Sequence, residues 1–181
     1  MPEKLLAAQP AANRERPESV QLAFKTWLVV VAFETVHQLL NVVMSLLNTS
    51  ELKAAARESL TPEQLSQVSD TTLSLMASLA AIMAGVLAIG IVAVIGWTAK
   101  VFHNGNKSAE GARRFLTVFG VYLAIRALFV FEMAQGSGVA VALLLCDGYV
   151  QILVAVCAVL AAIFGGKKES VDWARAGIPE K

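Results

Sequence analysis

Long apolar runs alternate with short charged stretches along this chain. Runs of 18–25 apolar residues have the length a helix needs to cross about 30 Å of hydrocarbon. Four stretches read that way: 27–47, 73–97, 115–134 and 139–164. The second is the clearest, because no charged residue lies between Asp70 and Lys100. The first is interrupted by Glu34, His37, Gln38 and Asn41, the third by Arg126 and Glu132, and the fourth by Asp147 and Gln151. Only Gln135-Gly136-Ser137-Gly138 separates the last two, which suits a tight connection between antiparallel helices.

The connecting segments carry helix signals of their own. Thr61-Pro62-Glu63-Gln64 combines an N-cap threonine, proline at the first helical position and glutamine at the capping-box position. This predicts a helix that starts near Pro62 and runs without a break into the second span. Residues 51–59 read as a short amphipathic helix with Leu52, Ala55, Ala56 and Leu60 on one side, suited to lying on a membrane surface. Residues 1–17 read as a disordered tail, 18–166 as one four-span domain, and 167–181 as a basic tail whose Trp173 would anchor at the interface. A duplicated hairpin would need a large insertion, so no repeat is inferred.

Composition sharpens this picture. The 181 residues are 56% hydrophobic and 16% charged, with mean hydropathy +0.62. Soluble domains carry about 25% charge. A formal net charge of +1 leaves no basic surface for nucleic acid. Residues 1–26 have no apolar core of the length a signal peptide needs, and no lipidation motif is present. Basic residues set the orientation. Twelve lie in the N-terminal tail, the 98–114 loop and the C-terminal tail, against two in the 48–72 loop. The expectation is an all-α integral membrane four-helix bundle with both termini cytoplasmic.

The polar residues inside the spans carry whatever chemistry the chain has. At 100° per residue, Glu34, His37, Gln38, Asn41, Ser45 and Asn48 share an arc of about 100° on the first span. Such a stripe lacks partners in lipid and must face protein. A charge in mid-membrane costs roughly 2.5–3.5 kcal/mol, which favours pairing. Arg126 and Asp147 are equidistant from the 135–138 turn, so depth matching pairs them across the hairpin, with Asp147 and Gln151 on one face and Glu34 and His37 close by. The candidate network is therefore Glu34, His37, Gln38, Asn41, Arg126, Asp147 and Gln151. Glu132, near the outer end, is assigned no role.

Other motifs read as structure. Ala77, Ala81, Ala84 and Ala88 form a small-residue stripe where another helix can approach, inside the bundle or from a second copy or another membrane protein. Cys146 and Cys157 are about 16 Å apart along one helix, beyond disulfide reach. Glu34-x-x-His37 has the spacing of di-iron carboxylate bundles, but a di-metal site needs a second copy, and haem ligation needs a second histidine in the spans. No catalytic triad, Walker loop or dinucleotide fingerprint occurs. No cofactor and no nucleic acid is expected; acid–base work by His37 with the carboxylates is the one enzymatic option.

The segment Gly111-Ala112-Arg113-Arg114-Phe115-Leu116 and the alanine-rich spans resemble uncharacterised small four-span membrane proteins of actinobacteria. The likeness covers one short segment and departs where those proteins usually carry Trp before Ala-Arg. It implies a bacterial cytoplasmic membrane and no activity. Two functions remain. One is a structural or accessory subunit of a membrane complex, whose polar network fixes helix packing or docks a partner. The other is a small proton-coupled or small-solute transporter using that network. Transporter sites are often built on spans broken by Gly or Pro. No span here has an internal proline, and the glycines of the second lie away from polar groups, which favours the accessory subunit.

Overall fold

The computed structural model describes residues 15–130 and 140–177, and among them the regular structure is entirely helical. Helix α1 spans Glu18–Leu47, α2 Ser50–Ser59, α3 Pro62–Gln67, α4 Asp70–Asn104, α5 Ala109–Leu128, α6 Val141–Gly166 and α7 Lys168–Arg175. Three helices, α1, α4 and α6, are long and apolar enough to cross a membrane. The third expected span falls partly on α5, whose 20 residues include Glu110, Arg113, Arg114 and Arg126 and are less apolar for it. Residues 131–134 of that span and the 135–138 turn, with Glu132, lie outside the described residues.

The helix ends follow from their sequences. Thr61 accepts from the Gln64 amide while the Gln64 side chain accepts from the Thr61 amide, closing the expected capping box on α3. The unbroken helix expected from Pro62 does not form. Val68 is extended, and Ser69 begins a new helix by accepting from the Thr72 amide. That second N-cap offers the backbone a competing start only eight residues after the first. At the far end α4 stops at Gly105, which adopts φ 63°, a conformation that glycine takes without the Cβ penalty.

The long helices form a ring in the order α1, α4, α5, α6, each packed against its two neighbours, so α1 and α5 face one another across the diagonal. The largest side chains of the core, Trp27, Ile95, Phe102, Leu116, Leu123 and Val154, fill the half of the bundle nearest α7. Towards the α2–α3 end, Leu73, Ala77, Ala81 and Met44 are buried. The alanine stripe therefore divides: Ala77 and Ala81 are buried inside the molecule, Ala84 is exposed and Ala88 is half-buried. Gly85 continues the buried side, since a Cβ there would run into Val42 of α1.

The C-terminal segment differs from the expected basic tail with a membrane-anchoring tryptophan. Helix α7 folds back on the bundle and buries Ser170, Trp173 and Ala174. The Trp173 indole N–H donates to the Phe102 carbonyl at 3.3 Å, and Ser170 donates to Ser19 at 2.9 Å. Ser170, Trp173 and Ala174 share one face of the helix at i, i+3, i+4, so the core takes up the ring that an interface would otherwise hold. The outward surface of the bundle carries large exposed apolar residues on every long helix, among them Val43, Leu87, Val118 and Val156. An apolar coat of that extent suits lipid rather than water.

Candidate functional site

The polar stripe of α1 meets α5 and α6 in the middle of the bundle. Glu34 is 4% exposed, and its carboxylate takes both terminal nitrogens of Arg126 at 2.7 Å, a bidentate pair that crosses the diagonal. Gln38, one turn along α1, donates to the same carboxylate at 2.8 Å. His37 points instead to α6, where its Nδ1 lies 2.6 Å from Asp147. Gln151 holds the other Asp147 oxygen at 2.8 Å, the i, i+4 partnership its spacing predicts. Asn41 completes the chain with its Nδ2 3.0 Å from His37 Nε2.

All seven expected network residues are thus brought together, but the pairing differs from the depth-matched one. Arg126 pairs with Glu34 instead of Asp147, and Asp147 takes His37. The long arginine stem lets its guanidinium span the diagonal to Glu34, and Asp147, whose helix neighbours both α5 and α1, is taken by His37 of α1. Arg126 keeps one unsettled donor, since its buried Nε has no hydrogen-bond partner among the described residues. Glu34 and His37, despite their Glu-x-x-His spacing, are committed to different partners on different helices. Among the described residues no three His, Cys, Asp or Glu side chains are grouped to hold a metal ion.

The stripe is asymmetric about this layer. On the α7 side the same face of α1 turns apolar, with Val30, Trp27 and Ala23 all buried. On the α2–α3 side it stays polar through Asn41, which is exposed, and the half-buried Ser45 and Asn48.

A second polar group, absent from the expected network, lies where α1, α4, α5 and α7 converge. Ser19 donates to Glu169 at 3.1 Å, and Arg16 donates to the His103 carbonyl at 3.1 Å. His103 stacks on Phe24 with ring centroids 4.2 Å apart. At the start of α5, Glu110 accepts from Arg113 and Arg114 at 2.9–3.0 Å. Hydrogen bonds from Arg113, reinforced by Arg114, overcome desolvation and hold the Glu110 carboxyl down at about 2. The Glu110–Arg113 and Glu110–Arg114 spacings were the available signal in the sequence. Comparisons with protein-family models, curated proteins and solved structures found no match to this chain.

Proposed function

We propose that this protein is a four-span component of the cell membrane with both termini on the cytoplasmic side, acting as a structural or accessory subunit of a membrane complex. The carrying observation is that the buried ions are closed upon one another. Arg126 is matched to Glu34 and Asp147 to His37, and the interior on the α7 side of that layer is apolar, with Val30, Leu123 and Val154 all buried. A transport path needs polar groups continuing to both faces. An ion pair on the bundle diagonal has a different effect: it fixes the axial register of α1 against α5, because a one-turn slip would strand both charges. Polar pairing as a specifier of helix register is a known use of buried ions.

The four-span reading counts α5 among the crossing helices, since it completes the ring. The two terminal segments and the 98–114 loop carry twelve basic residues against two in the 48–72 loop, which favours the cytoplasmic side for both termini. The likeness to small actinobacterial membrane proteins points to a bacterial plasma membrane.

Isolation of the full chain from its native membrane in mild detergent tests the reading. A stoichiometric membrane-protein partner, with no proton or solute flux when the pure chain is placed in liposomes, is the expected result. A chain that purifies alone and carries flux overturns it in favour of a transporter.

A further inference from the structure

We propose that the seam between α5 and α6 holds one anionic phospholipid of the surrounding bilayer, with its phosphate on the Arg113–Arg114 pair and the upper part of an acyl chain in the slot beside Gly165. This rests on the membrane-spanning part of the reading above and not on the identity of any partner subunit.

The two helices touch at one level and part at another. A Cβ on Gly120 of α5 would stand 3.3 Å from the Ala158 carbonyl oxygen of α6, so the two are in close contact there. Seven residues back along α5, about 10 Å nearer its start, Arg113 lines a slot together with Gly165 of α6. Gly165 is buried, yet a Cβ built on it meets nothing within 4 Å. Protein interiors are close-packed, so a buried glycine beside empty space marks a gap between the helices. The gap is an open slot of about 180 Å³ that reaches inward to Trp27 and Phe102, with Leu116 and Ala162 on its walls. Such walls suit a hydrocarbon chain and offer little to an ion or a sugar.

The depth is that of lipid headgroups. The apolar run of α5 begins at Phe115 and that of α6 ends at Phe164, so Arg113 and Gly165 sit at the edge of the hydrocarbon. A chain entering the slot from the bilayer brings its headgroup level with the two arginines.

Those arginines are arranged to take a phosphate. Glu110 accepts from Arg113 through Nε and one terminal nitrogen, but from Arg114 through Nε alone. The terminal nitrogens of Arg114 have no partner among the described residues, and its side chain is 69% exposed. Arg114 lies about 60° round α5 from Thr117, which lines the slot, on the more exposed side of the seam. One carboxylate thus holds two guanidiniums side by side. The trio keeps one net positive charge, since arginine does not deprotonate. A phosphate diester fits the guanidinium fork. A headgroup of net negative charge neutralises the site, whereas a choline headgroup brings a further cation to it.

Trp27 reports on the slot, because its ring forms part of the wall and is 2% exposed. The full chain carries Trp97→Phe, which removes an indole that is 67% exposed on α4. It is placed in phosphatidylcholine vesicles with a minor share of phosphatidylglycerol brominated in the upper part of its chains. The same share of phosphatidylcholine with identical brominated chains is the comparison. Quenching of Trp27, assigned by its loss in Trp27→Phe, should favour the glycerol lipid about fivefold, the usual effect of one basic residue at an anionic surface. Arg114→Gln should bring the two lipids close to parity. Gly165→Leu, which fills the slot, should abolish quenching of Trp27 by both lipids. Gly165→Ala, whose Cβ has open space, keeps the fold and should weaken quenching in the same direction. Inorganic phosphate added at constant ionic strength should leave the preference intact. Equal quenching by the two lipids, a preference that survives Arg114→Gln, or one that inorganic phosphate abolishes overturns the proposal. So does quenching that is undiminished in both Gly165 variants. With Trp97 restored, a protein quenched by neither lipid at any tryptophan overturns the membrane-spanning reading itself.

Discussion

Arg126 and Glu34 meet across the diagonal of the helix ring through two parallel 2.7 Å hydrogen bonds, joining the two helices that are not neighbours. Their substitutions should be unequal. Glu34→Leu strands a guanidinium that cannot lose its proton, a loss of about 3–5 kcal/mol. Arg126→Leu leaves a carboxyl that can neutralise itself, so it should be milder. The double variant should be more stable than Glu34→Leu alone. Thermal melts in detergent measure all three. Equal single effects that simply add would show that the pair is not coupled.

How much of this was legible in the sequence depended on which dimension mattered. The angular period of an isolated helix is local, so Glu34, His37, Gln38 and Asn41 could be grouped from spacing alone. Pairing between helices requires ring order and side-chain reach, which no spacing encodes, and depth matching accordingly gave Arg126 the wrong acid. The buried face of α7 was written at Ser170, Trp173 and Ala174, but eight residues beside charged neighbours read equally well as a tail. Ser69 was likewise a legible N-cap, masked by the stronger capping box at Thr61.

Gly85 marks the close approach of α4 to α1. A Cβ there meets Val42, a β-branched side chain that has little rotamer freedom with which to move aside. Gly85→Ala should destabilise the bundle by about 1–3 kcal/mol despite alanine's better helix propensity. Val42→Ala should restore part of that loss in the double variant. Gly90→Ala serves as the control, because nothing lies within 4 Å of its Cβ, and it should be neutral or stabilising. The reading is a detergent melt of the four proteins.

Trp173 ties α7 to the end of α4. It is 5% exposed, its indole donates to the Phe102 carbonyl, and its ring lies against Gly105. Trp173→Ala should cost about 3–5 kcal/mol of local packing, in the range for large aromatic truncations. The release should appear first as rapid proteolysis near Lys167 and Lys168, before any loss of the bundle. Resistance of that segment equal to the parent protein would show that α7 is held by something other than this ring.

Glu110 should make the bundle sensitive to acid from its loop end. Its carboxyl lies at the first turn of α5 with both Arg113 and Arg114 on it, and it titrates at about 2 in place of the ordinary 4.5. The folded state therefore holds fewer protons than the unfolded chain between those two values. Stability from this group is fully present above about pH 4.5 and is lost as the pH falls towards 2. Glu110→Gln removes the charge and with it this contribution. The variant should melt below the parent at pH 6 and converge with it as the medium approaches pH 2. Raising the salt concentration at pH 6 should narrow the gap only partly, because the carboxylate is buried even though Arg114 is exposed. A constant difference between the two proteins across the whole acid range would mean that the glutamate acts through packing and not through its charge.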